Sequence, residues 1–112
     1  MPSDQRRFPR IPQSFDAQYR LPAVDETWHT MQTVNLSATG MRFRSGELLE
    51  IGTSLEVRIK LPNMQRFFEL QGHIMWSQMQ ASGVVEHGME FVNLGERQQK
   101  QIDELVEFLR HG

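Results

Sequence analysis

The chain contains no cysteine. That excludes a disulfide framework, a thiol nucleophile and any Cys-ligated zinc or iron–sulfur centre. No stretch approaches the roughly 18 apolar residues of a membrane-spanning helix, and the N-terminus lacks the apolar centre of a signal peptide. The expectation is a cytoplasmic protein without membrane insertion. Surplus positive charge is missing too: 12 Lys+Arg against 14 Asp+Glu leave a formal charge of −2. A slightly acidic chain is a poor match for a nucleic-acid backbone, so neither DNA nor RNA is expected as a partner. The sequence has no HExxH, no GxSxG, no Walker A loop and no GxGxxG. His29, His73, His87 and His111 are scattered, with no pair at ligand spacing on one element. The acids Glu56, Glu86, Glu90 and Glu104 fall on predicted solvent faces. No catalytic role, metal or cofactor is expected.

What is present, 112 residues and 13.1 kDa in all, reads as a short arm followed by one domain. In residues 1–14, Arg6, Arg7 and Arg10 face only Asp4, and Pro2, Pro9 and Pro12 prevent a regular helix. This predicts a flexible basic arm, with residues 15–112 forming the folded body. Within the body the hydrophobic period is that of strands. Leu55-Glu56-Val57-Arg58-Ile59-Lys60-Leu61 alternates without a break. Met41–Arg44 and Val85–Phe91 alternate less cleanly. Phe68, Leu70, Ile74 and Trp76 share one predicted face, with Gly72 as a bend or bulge between them. Phe15–Leu21 and Trp28–Leu36 complete the set. These runs predict a mainly β fold, a six-stranded antiparallel barrel whose closure removes exposed edges. Ile102, Leu105, Val106 and Leu109 then recur at helical spacing in a terminal amphipathic helix over about 94–111. Its stripe packs on its own barrel or across a dimer, so monomer and dimer both stay open.

Among the histidines, His87 shares a strand face with Val85, Met89 and Phe91, which marks a satisfied core histidine rather than a metal ligand. Trp76 reads as core, with an aromatic stacking platform as the alternative. Met64, Phe67 and Phe68 read as core or loop packing, with an apolar partner patch as the alternative.

Two short patterns remain. Arg6-Arg7-Phe8-Pro9-Arg10 contains RxxxR, which chance supplies roughly once in a chain this rich in arginine. Asn35-Leu36-Ser37-Ala38-Thr39-Gly40 is an (Asp/Asn)xSxxG, for which chance supplies roughly 0.03 occurrences. Singly, they read as a solvated tail and a strand-to-strand turn. Together they gain weight, because the predicted hairpin from Phe15 to Leu36 returns Asn35 toward the end of the barrel that the arm enters. Guanidinium forks match phosphate oxygens and the O6/N7 edge of guanine, while Asn and Ser supply neutral donors and acceptors. Gly40 permits close backbone approach. The combination suits a small, doubly anionic, purine-bearing ligand.

At these residues the chain resembles the PilZ domain family, the bacterial receptor module for cyclic di-GMP. The resemblance runs through the RRFPR arm, the NLSATG turn with Met41–Ser45, the IMWS segment, and Gly88–Val92 before the terminal helix. It implies a six-stranded barrel with a C-terminal helix and no enzymatic activity. It implies that Arg6 and Arg10 bind phosphate and guanine edges, with Arg7 assisting, and that Asn35, Ser37 and Gly40 supply the second half of the site. Asn35 stands in place of the family's Asp, a tolerated variant that exchanges a charged acceptor for a neutral one. Gln5 precedes the arm motif and matches neither the arginine that accompanies a stacked ligand pair nor the apolar residue that accompanies one ligand. The implied function is a stand-alone, ligand-switched adaptor acting on an effector protein in motility, biofilm or secretion control. The alternative is a protein-interaction module of the same fold that does not bind the nucleotide.

Overall fold

The computed structural model describes residues 16–60 and 65–111. The arm over 1–14, with Arg6, Arg7 and Arg10, therefore lies outside the described residues, as does Met64. The cleanest alternation in the sequence becomes β5 (Ser54–Lys60). Leu55, Val57 and Ile59 turn inward and are at most 2% exposed, while Glu56, Arg58 and Lys60 take the outer face. Each such side chain contributes about 1.5–3 kcal/mol by leaving water.

Around β5 stand β1 (Asp16–Arg20), β2 (His29–Thr30), β3 (Gln32–Leu36), β4 (Gly40–Ser45), β6 (Phe68–Met79) and β7 (Val85–Val92). All pairings are antiparallel, in the order β2-β1-β5-β6-β7-β4-β3. The described residues thus form seven strands where six were expected. The difference arises because the segment Trp28–Leu36 breaks at Met31. Before the break it pairs with β1 through Gln18 and Thr30; after it, Gln32 pairs with Arg44 of β4. The two outermost strands are consecutive in the chain, so the sheet nearly closes through Met31, whose N–H donates to the Ala17 carbonyl at 3.2 Å.

Gly72 does not bend β6: it pairs in register with Leu55 and Phe91. The irregularity falls at Met75, because Ile74 faces Met89 and Trp76 faces Gly88, which leaves one residue of β6 extra. Past the extra residue the alternation restarts one step out of phase. Ile74 is 0% exposed, whereas Trp76 is 37% exposed. Trp76 therefore does not belong to the core face of Phe68, Leu70 and Ile74, and Ser77 takes the inward position instead.

The helix α1 (Glu96–His111) begins two residues later than expected. Its first backbone bond runs from Gln99 N–H to the Gly95 carbonyl at 2.9 Å. Ile102 and Leu105 join the barrel core, with Val106 packed against it. Gln98 Nε2 donates to the Glu69 carbonyl at 2.9 Å, so the stripe covers its own barrel. Phe68 is core, while Phe67 lies half-buried beneath the Arg58 guanidinium, 4.5 Å from its ring centroid.

One core member is polar. His87 is 0% exposed, between the Ser77 hydroxyl on Nδ1 at 2.8 Å and the Ser45 hydroxyl on Nε2 at 3.1 Å. Phe43 packs on its ring, with centroids 5.0 Å apart. Burial holds the imidazole pKa below its ordinary value, against the opposing pull of the Glu47 carbonyl and carboxylate. Glu47 in turn accepts a hydrogen bond from the buried Tyr19 hydroxyl, whose pKa burial and that bond push upward. This is the satisfied core histidine that its strand position suggested.

Candidate functional site

The turn from β3 to β4 is held by its own serine. Ser37 N–H donates to the Gly40 carbonyl at 2.9 Å, and the Ser37 hydroxyl reaches the same oxygen at 3.2 Å. That hydroxyl oxygen also accepts from the Thr39 and Gly40 amides, at 3.4 and 3.3 Å. Ser37, Ala38 and Thr39 are exposed, so the turn stands at the surface with its shape fixed. Gly40 has a structural reason of its own: a Cβ there would overlap the Met89 carbonyl oxygen of β7. Close approach at Gly40 is thus toward the neighbouring strand.

Asn35 lies two residues before the turn on β3, half-buried, and is carried by a second irregularity between Thr33 and Asn35. It pairs with Arg42 of β4, Arg42 pairs with Gly88 of β7, and Gly88 pairs with Trp76 of β6. Four strands therefore contribute one row: amide, guanidinium, glycine, indole. A Cβ on Gly88 would overlap Nε1 and Cε2 of Trp76, so the indole lies down over the glycine gap. The Arg42 guanidinium carbon is 5.8 Å from the indole ring centroid. The row combines a flat aromatic surface with a guanidinium group and a neutral amide.

The next row holds Arg42 in place. Arg44 pairs with Glu86, and Glu86 with Gln78. Arg42 donates to Glu86 Oε2 from Nε at 3.1 Å and from Nη2 at 2.5 Å; Arg44 Nε donates to Oε1 at 3.2 Å. Burial raises the Glu86 carboxyl pKa, but the two arginines outweigh it and leave the carboxyl below its ordinary range. Glu86 is 5% exposed, which corrects its reading as a solvated surface acid. Two guanidinium groups against one carboxylate leave this patch cationic on an acidic protein. On the far side, His73 Nε2 lies 3.3 Å from Glu90 Oε1.

Of the sequence-predicted site, Asn35, Ser37 and Gly40 come together on β3, its turn and β4. Arg6, Arg7 and Arg10 lie outside the described residues. Sequence reasoning missed Arg42, Arg44 and Glu86, because only the register of β4 against β7 aligns them. The one local signal was Gly88, a glycine inside a strand pattern, which marks close approach of another group. Among the described residues no cluster of three or more His, Asp or Glu is placed to hold a metal.

Comparison with known proteins agrees with this architecture. The family model for the PilZ domain matches residues 4–108. Among solved structures, the PilZ domain with c-di-GMP of YcgR from Escherichia coli superposes with a TM-score of 0.71 at 13% sequence identity, covering 92% of this chain and 88% of that one. The Bacillus subtilis Inhibitor of motility (MotI/DgrA) superposes with a TM-score of 0.68 at 18% identity. That match covers 94% of this chain and 49% of the Bacillus protein, so the chain spans about half its length. No curated protein matches.

Proposed function

We propose that this chain, which belongs to the PilZ domain family, is a cytoplasmic receptor for cyclic di-GMP that acts as a ligand-switched adaptor for an effector protein. The ligand is held between the Arg6, Arg7 and Arg10 arm and the surface formed by Asn35, Ser37, Gly40 and the Arg42–Trp76 row. The observation that carries this reading is the row itself: Asn35, Arg42 and the half-exposed Trp76 lie in one cross-strand register beside a rigid turn. A purine stacks on an indole through its π-face, and guanidinium and amide groups match its polar edge. Phosphates take the remaining charge-assisted bonds from the arm. Trp76 thereby takes the platform role that the core reading of its strand had set aside. Of the outputs expected for the adaptor, motility control has the support of a structural relative named as an inhibitor of motility. No reaction is assigned to the domain.

Titration calorimetry of cyclic di-GMP into the wild type, Arg6→Ala/Arg10→Ala and Trp76→Ala tests the reading. Each arginine contributes about 1.5–3 kcal/mol, so the double variant loses binding in the measurable range. Trp76→Ala costs about 1–3 kcal/mol, the worth of one stacked base. Unchanged far-ultraviolet circular dichroism confirms that each variant is folded. Absence of binding to the wild type would overturn the receptor reading in favour of an interaction module that does not bind the nucleotide. Normal binding by the double arginine variant would overturn the site.

A further inference from the structure

The two edges of β6 are used unequally. β7 accompanies it from Gln71 to Met79, but β5 accompanies it only from Phe68 to His73. Gly52 N–H donates to the Ile74 carbonyl at 2.8 Å, and Ile74 N–H donates to the Thr53 carbonyl at 2.9 Å. Among the described residues, no strand lies on that side beyond Ile74. The hydrogen-bond phase shows what is left there. Gln80 N–H bonds the Val84 carbonyl at 2.7 Å, which fixes Gln80, Gln78 and Trp76 as the residues that exchange bonds with β7. Ser77 and Met79 therefore direct N–H and C=O toward the open side.

The sequence of this edge carries neither charge nor proline as protection. From Ile74 to Val85 the sequence has no charged residue and no proline, the devices that keep an edge strand from recruiting another. Met75 is 48% and Met79 61% exposed. The loop before β5 meets β6 on its inner face, where the Ser77 hydroxyl, turned toward His87, donates to the Leu49 carbonyl at 2.7 Å. That loop adds the exposed side chains of Leu48 and Ile51.

We infer that the β6 edge is a self-association surface, pairing antiparallel with the β6 edge of a second copy about a two-fold axis at Ser77. The choice of a second copy rests on the segment's own symmetry. Met75-Trp76-Ser77-Gln78-Met79 carries methionine at both ends and neutral side chains throughout, and an antiparallel strand meets its copy in reverse order. Ser77 then faces Ser77, Trp76 faces Gln78, and Met75 faces Met79, with no like charges opposed. Such an isologous pairing is closed, so it stops at a dimer. It also makes one continuous outer surface of the Asn35–Arg42–Trp76 rows of both copies. The pairing itself does not depend on which ligand that surface takes.

Sedimentation equilibrium over a concentration series is the test, with Met79→Lys and Met79→Pro as edge variants. The Met79 N–H points away from β7, so proline removes no bond of the β6–β7 hairpin. The wild-type mass should rise with concentration toward twice 13.1 kDa, while both variants stay at the monomer mass with an unchanged circular dichroism spectrum. If Met79→Pro unfolds, Met79→Lys decides the matter alone. Amide exchange gives a site-specific reading: Ser77 and Met79 should gain protection as concentration rises, whereas Trp76 and Gln78 already have β7 as partner. A wild type that stays monomeric through about 1 mM would overturn the proposal, since weaker association is not a useful contact. Variants that dimerise as tightly as the wild type would place the contact elsewhere and also overturn it. So would protection of Ser77 and Met79 that appears only with a different protein present, which would give the edge to that protein.

Discussion

Replacing Glu86 by Gln keeps the shape of the side chain and removes its charge. In the native fold the carboxylate is 5% exposed and accepts two bonds from Arg42 and one from Arg44. The carboxamide keeps one acceptor oxygen, so one arginine retains its partner. The other meets an NH2 group, donor against donor. Both arginine side chains are about two-fifths exposed, at 40% and 42%, so water takes up much of what they lose. The loss is therefore close to that of a single charge-assisted bond, about 1.5–3 kcal/mol, and falls short of the cost of a fully buried broken pair. For a domain of this size each kcal/mol moves Tm by about 4–8 °C, giving a drop of roughly 6–24 °C. Urea unfolding followed by tryptophan fluorescence should show a lower midpoint with an unchanged slope. The difference from wild type should survive in roughly 0.5 M salt, because a buried carboxylate is poorly screened. A loss below about 0.5 kcal/mol, or one that vanishes with salt, would refute the argument and reduce the cluster to an ordinary surface pair.

Two further outcomes follow from the core and the turn. The His87 pKa is held below 6.5 in the folded protein, so the unfolded chain takes up its proton first and stability falls as pH drops below that value. Thermal melts at about pH 7.5 and 5.5 should show that fall in the wild type and a smaller one in His87→Gln, whose lower Tm reflects the lost bonds; equal falls would remove His87 as the cause. Gly40→Ala should destabilise by about 1–3 kcal/mol, because the new methyl meets backbone of β7 rather than a flexible side chain; a variant with wild-type stability would show that the close approach does not constrain this position.

Much of this protein is legible in the chain itself, because local patterns carry it. Period-two alternation in Leu55–Leu61 and helical spacing in Ile102, Leu105 and Val106 need only neighbouring residues to be read. The fold class, the place of the turn and the terminal helix follow from them. So does the family, since Arg6, Arg10, Asn35, Ser37 and Gly40 stand in a recognisable order and PilZ membership is found over residues 4–108. What the chain does not announce is phase. One extra residue at Met75 reverses inside and outside, so that Trp76, in step with Ile74 by counting, comes out on the surface while Ser77 turns in to His87. The break at Met31 likewise divides a single predicted strand between two partners and closes the barrel. Bulges and breaks of this kind are selected by the neighbouring strand, through hydrogen bonds and packing that no local window contains. The alignment of Asn35, Arg42, Gly88 and Trp76, four residues spread over half the chain, is decided only when β3, β4, β7 and β6 have paired. Local pattern settles the kinds of element and the side chains available; tertiary pairing decides where strands break and which of those side chains meet.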